Sequence, residues 1–348
     1  MDARTGRVAA AARVLHSHFL WLLIGAYALA ALAPGAGRWL ARHAAEGSVL
    51  GQDYRAPAPA VMLAVLLFAA GLAAKGEHLR GVFRRPGPLL VGLAATILVP
   101  VLVLLLAGPL LALWHDPTEA RDVLLGLAVV AAMPVAGSSA GWARAANGDC
   151  ALSLGLVLLS TILSPLTTPL AFRAAALVCP TGSDGALPGL EGVGGAGVFL
   201  TDWVLVPMAL GLAGRWAVGV RRAEAVGPPM RVVTSVVLLG LCYTNATACL
   251  PLALASPDWD FLALVAVAAG LMCASSFAAG FASARCVCAD PARRAALVFG
   301  IGMANNGAGL ALAAGALAGC PLALLPVVAV NLVQHLGAGW ADARLRRA

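Results

Sequence analysis

The chain has 348 residues, of which 61% are hydrophobic and only 11% charged, with a mean hydropathy of +0.90. A soluble domain carries charge at about a quarter of its positions, so this composition excludes one and predicts a polytopic membrane protein. The net charge of +7 comes from arginines in short clusters between apolar runs, without interleaved aromatics. That pattern argues against nucleic acid as a partner and for membrane topology.

Apolar runs of about 17–25 residues can cross a bilayer as helices. Ten are predicted, near 15–34, 58–75, 87–107, 121–146, 150–172, 196–218, 231–254, 260–282, 294–317 and 322–341. The first follows arginines, as a signal peptide would. It runs on to Pro34-Gly35 without a small-residue cleavage motif, so it reads as a retained span. A Gly- and Pro-rich segment at 179–195 divides the chain into 1–178 and 196–348, five spans each. An odd number of spans per half makes the second half enter from the opposite side. The fold class expected is an all-α membrane protein built from two inverted five-helix repeats.

Charge placement supports the count. Eighteen of the 23 lysines and arginines fall at the N-terminus, near 75–86, 144–149, 215–231 and 283–294, and in the C-terminal tail. The other five are Arg38, Arg42, Arg55, Arg121 and Arg173. The positive-inside rule then puts both termini in the cytoplasm of a cell (inner) membrane protein. Most of the eight cysteines lie within apolar spans, where they act as small hydrophobes, and Cys286-Val287-Cys288 lacks the second pair a zinc site needs.

Two spans are broken by small and polar residues. The fourth contains Met133-Pro134-Val135-Ala136-Gly137-Ser138-Ser139-Ala140-Gly141, and the ninth contains Gly300-Ile301-Gly302-Met303-Ala304-Asn305-Asn306-Gly307. In a bilayer every freed backbone group must find another partner, so such breaks persist only inside protein or beside a polar cavity. Matched breaks in the two halves point to a transporter's binding site. Helix N-termini at the breaks, beginning with Gly137 and Ser138, offer N–H groups suited to a carboxylate.

Asn305 and Asn306, two adjacent amides at mid-membrane, are costly unless satisfied and are expected to contact a ligand or cap the helix. Asn331, Gln334 and His335 in span 10 share one helix face and are expected to look inward, as a hydrogen-bond network or as substrate contacts. Hydroxyls at Ser139, Ser153, Ser160, Thr161, Ser164, Thr167 and Thr168 can bind a small cation or pack helices closely. Asp202 and His335 are the candidates for carrying a proton. Gly137 to Gly141 also matches G-x-S-x-G with Ser139 as nucleophile, but no strand–turn–helix context surrounds it. No nucleotide-binding loop or zinc-protease motif is present. The chain is therefore expected not to be an enzyme, an intramembrane serine hydrolase and a non-transporting sensor being the readings of another class.

The segment from Pro134 to Pro169, with "GSSAGWARAANGDCALSL" and "LSTILSPLTTP", resembles spans 4 and 5 of the bile acid:sodium symporter family. "GIGMANNGAGLALA" from Gly300 resembles that family's E-x-G-M-Q-N-S-G signature, and "PGPLLVGLAATILVP" and "LVQHLGAGW" are similar to its spans 3 and 10. The resemblance implies panel and core domains, crossed discontinuous helices in spans 4 and 9, and sodium-driven uptake of a small organic anion. It also implies a sodium site at Ser139, Ser153 and the backbone of Ile301 and Met303, and a substrate site at Gly137, Ser138, Asn305, Asn306, Gln334 and His335.

Several of the family's sodium ligands are replaced. Its span 3 glutamine aligns with Ala95, its span 4 amide with Ala140, its span 5 threonine with Val157, and its span 9 glutamate and glutamine with Gly300 and Ala304. A buried carboxylate offsets both the charge and the desolvation of a hard cation, so its loss puts sodium coupling in question. The couplings left open are sodium through rebuilt ligands, protons, or none.

Overall fold

A computed structural model describes residue 15 and residues 18–49, 52–74, 86–179, 193–287, 290–317 and 319–347. Each of the ten expected segments is helical over most of its length. Helix α1 spans Phe19–Leu32 and, after Pro34, turns by 89° into the short α2 (Gly35–Arg42). A hairpin unforeseen from the sequence follows, β1 (Ala44–Val49) against β2 (Gln52–Pro57), antiparallel with Glu46 opposite Arg55. Then come α3 (Ala58–Ala73), α4 (Gly87–Leu111), α5 (Pro117–Ala132), α6 (Gly137–Ala145) and α7 (Cys150–Val178). Residues 180–192 of the expected connecting segment and most of the loop at 75–86 lie outside the described residues.

The second half begins with α8 (Val193–Leu200), a π-helical turn (Thr201–Leu205) carrying an exposed Asp202, and α9 (Val206–Val218). Gly219, at φ +80°, ends α9, and α10 (Val220–Ala246) starts at once. The arginine-rich stretch read as a loop at 215–231 is thus largely helical, Pro228 and Pro229 included. Next follow α11 (Leu250–Ala255), α12 (Trp259–Val287), α13 (Pro291–Gly302), α14 (Asn306–Ala316), a 3₁₀ turn (Pro321–Leu324) and α15 (Leu325–Leu345). Among the described residues, six unbroken helical stretches are long and apolar enough to cross a membrane, and the bent α1–α2 pair makes a seventh.

The helices pack in two groups. One comprises α1, α3, α9 and α10; the other α4, α5, α7, α12, α13 and α15. Helix α14 lies between them, touching α3 and α10 on one side and α5 and α15 on the other. In the first group α3 and α9 touch backbone to backbone. A Cβ at Gly71 would meet the Met208 carbonyl oxygen, and one at Gly211 would meet the Phe68 carbonyl oxygen. Such close approach between small residues is how membrane helices gain packing energy without a hydrophobic driving force. The guanidinium of buried Arg215 donates to the Leu72 carbonyl oxygen at 3.0 Å, satisfying a terminal carbonyl of α3.

The turn from α6 to α7 is equally specified by sequence. Asn147 adopts φ 56° and the Gly148 N–H returns to the Ala143 carbonyl, a left-handed helix ending. Asp149 then caps α7, accepting from the N–H groups of Ala151 and Leu152, while its own N–H reaches the Ala292 carbonyl at the start of α13. The beginning of α7 and that of α13, the first half of the ninth span, are thereby fixed together.

Candidate functional site

The two breaks meet each other. Val135 and Ala304 form an isolated antiparallel bridge, in which the Ala136 N–H donates to the Met303 carbonyl at 2.9 Å and the Asn305 N–H to the Pro134 carbonyl at 2.8 Å. Four backbone groups freed by the loss of helix are satisfied in this way. Side chains of neighbouring helices satisfy three more. Ser160 accepts from the Val135 N–H at 3.0 Å, Thr168 donates to the Ala132 carbonyl at 3.0 Å, and Gln334 accepts from the Ala304 N–H at 3.1 Å. Ser160 and Thr168 belong to α7 and Gln334 to α15, so both helices are fastened to the crossing. Among the described residues, Thr161, Ser164 and Thr167 bond to carbonyls of their own helix, as packing residues do.

Because Thr168 is buried, Thr168→Val keeps the shape and leaves the Ala132 carbonyl one partner short. That should cost about 1–2 kcal/mol and lower the melting temperature of the purified protein by about 1–3 °C. A Thr167→Val variant, on the half-buried face, is the control that should change it little.

The second halves of both spans start at the crossing. Helix α6 has no side-chain cap. A Cβ at Gly137 would meet nothing within 4 Å, and Ser138 is exposed, so this N-terminus is open. Helix α14 is capped by Asn305, whose Oδ1 accepts from the Ala308 N–H at 3.3 Å. Asn306 is 4% exposed and donates to Asn331 Oδ1 at 3.0 Å, while its own Oδ1 has no partner among the described residues. Gln334 Nε2 joins the same Asn331 oxygen at 3.4 Å. His335, one residue on, packs its ring on Phe19 of α1 instead, 5.4 Å between centroids.

The cation side is divided. Ser139 and Ser153 are fully buried, and neither hydroxyl has a hydrogen-bond partner among the described residues. Two orphaned buried oxygens suit a small cation or a water. Ile301 and Met303 border a cavity of about 20 Å³ shared with Thr96, Ser276 and Gln334, room for about one water. Where the resemblance calls for a carboxylate, Gly300 stands against a leucine. A Cβ at 300 would lie 2.7 Å from Leu156 Cδ1, and the other methyl of Leu156 would lie 2.6 Å from a Cβ at Gly92. Leu156 is fully buried and occupies the space that two side chains would need.

The structure thus gathers Asn306, Gln334 and the backbone of Met303 about one crossing, with Gly137 and Asn305 opening the helix halves beside it. His335 is held at α1, and Asp202 is exposed on the π-helical turn. Ser139 has no base within hydrogen-bond reach among the described residues, as a serine nucleophile would require. Sequence reasoning missed Tyr27 and Cys242, to which Asn331 donates at 2.7 and 3.4 Å. A tyrosine and a cysteine in apolar helices give no local signal of pairing.

No curated protein matches the chain. A model of the sodium bile acid symporter family matches residues 60–246, a stretch that contains the first break and ends before the second. That stretch is more than half of the chain, and the family consists of secondary transporters rather than enzymes. With its apolar helices and its paired helix breaks, the chain belongs to the sodium bile acid symporter family and is an integral membrane protein.

Proposed function

We propose that the protein moves a small organic anion across the membrane by alternating access at the crossing of the two broken spans, without sodium coupling. The carrying observation is the antiparallel pairing of Val135 with Ala304, beside which the uncapped N-terminus of α6 opens at Gly137 and Ser138. A helix N-terminus favours negative charge through its free N–H groups and its dipole. Gly137, Ser138 and Asn305 would contact the anion. Asn306 and Gln334 would hold the backbone that presents it, with His335 bordering the site from α15.

The proposed frame is ten membrane spans in two inverted repeats, 1–178 and 196–348, both termini being cytoplasmic in the cell membrane. The missing carboxylate at Gly300, with Leu156 in its space, supports the loss of sodium coupling. A second reading is favoured by one observation, the orphaned hydroxyls of Ser139 and Ser153, which suit a single residual sodium ion as co-substrate.

Asn305→Asp keeps a capping oxygen at the start of α14 but adds a negative charge where the anion would sit. Binding of the radiolabelled organic carboxylate that a transport screen selects should weaken at least about tenfold, roughly 1.4 kcal/mol, with an unchanged melting temperature. Asn305→Ala should weaken binding less and cost about 1 kcal/mol of helix capping. Equal affinity in wild type and Asn305→Asp would remove Asn305 from the site.

A further inference from the structure

Asn331, at 5% exposure, uses every hydrogen bond its amide can make. Its Nδ2 donates to Tyr27 Oη at 2.7 Å and to Cys242 Sγ at 3.4 Å, and its Oδ1 accepts from Asn306 Nδ2 at 3.0 Å and Gln334 Nε2 at 3.4 Å. The two recipients of its protons, Tyr27 on α1 and Cys242 on α10, belong to the first helix group. The two donors to its oxygen belong to α14, which lies between the groups, and to α15 of the second group. Through Gln334 the chain continues to the Ala304 N–H at the crossing itself. Tyr27, Cys242 and Asn306 are each 5% exposed or less, so no bond in the chain competes with water.

We infer that Asn331 is a polar latch that ties the first helix group to the broken-span crossing and holds the two groups in their present arrangement. The interface between the first group and α14 is apolar, built from Leu63, Leu67, Met208, Leu241, Ala308 and Ala311. Apolar surfaces between helices slide at little cost in a bilayer, where lipid tails are as apolar as leucine, whereas a buried amide fixes one register. Any motion of one group against the other must break the bonds to Tyr27 and Cys242 while those to Asn306 and Gln334 travel with the crossing. Tyr27 and Asn331 are therefore positioning residues for the site.

Cys242 is a built-in reporter, because its thiol is buried at the latch and becomes reachable only when the groups part. Cys273, 5% exposed and bordering the cavity beside the crossing, lies between α12 and α15 within the second group and donates to the Val330 carbonyl at 3.8 Å. The test is N-ethylmaleimide labelling of the full-length protein in liposomes, with modification at each cysteine quantified by peptide mass spectrometry. Tyr27→Phe keeps the ring and removes the acceptor of one Asn331 proton. Cys242 labelling should accelerate roughly tenfold while Cys273 labelling stays at the wild-type rate. Unchanged Cys242 labelling would overturn the latch, and so would parallel acceleration at both cysteines, which signals general loosening. No substrate enters the assay, so its outcome is separate from the proposed transport of an anion.

Discussion

Gly211→Val should leave little folded, membrane-inserted protein. The Cβ position of residue 211 is already filled by the carbonyl oxygen of Phe68, with the Leu72 nitrogen 2.9 Å away, and Gly71 makes the reciprocal contact with Met208 and Leu212. These are backbone atoms of a neighbouring helix and cannot rotate aside. Helix α9 would have to retreat from α3, taking with it the Arg215 bond to the Leu72 carbonyl. Overpacking of this kind costs about 3 kcal/mol, a large share of a marginal stability. The measurement is the monodisperse yield and melting temperature of purified Gly211→Val beside Gly214→Val, whose Cβ would meet only side-chain atoms at 4.0 Å. Equal behaviour of the two variants would show that α3 and α9 do not pack this closely.

Restoring the family's carboxylate by Gly300→Glu alone should be the next most damaging change. The new side chain collides with Leu156, and a carboxylate confined beside leucine methyl groups either pays a large desolvation cost or stays protonated. A loss of about 3 kcal/mol is expected. Adding Leu156→Ala should recover part of the stability by opening the space, and adding Ala304→Gln should supply a further oxygen. Together with Ser139 and Ser153, the triple variant should then be stabilised by sodium over choline in thermal unfolding. If Gly300→Glu is as stable as wild type, Leu156 does not fill the position. If the triple variant shows no preference for sodium, these replacements are not what separates the chain from a sodium binder.

Much of this architecture is legible in the sequence because a membrane leaves few options. Apolar length marks the helices, and Pro134 and the Asn305-Asn306 pair in apolar surroundings mark the breaks. What the sequence does not carry is which groups repair each break. Ser160 and Thr168 look like Thr161 and Thr167 on the page. They differ only in facing the first broken span, at Val135 and Ala132, a tertiary property. Leu156 is one leucine among many until Gly92 and Gly300 are seen on either side of it. The hairpin at 44–57 is short and mixed in polarity, and the stretch from Val220 looked like a loop because Pro228-Pro229 and its arginines disfavour a buried helix. Gln334 and His335 are neighbours with separate partners, one at the crossing and one on Phe19, which no periodicity argument resolves.

The central claim is that paired broken spans remain while sodium coupling has gone, and thermal unfolding of the purified wild-type protein tests it most directly. Melting temperatures would be compared in sodium chloride and choline chloride at equal ionic strength, since a ligand bound only by the folded state raises stability. The account predicts superimposable curves. A sodium-specific rise that Ser139→Ala abolishes would contradict it and place a surviving ion between Ser139 and Ser153.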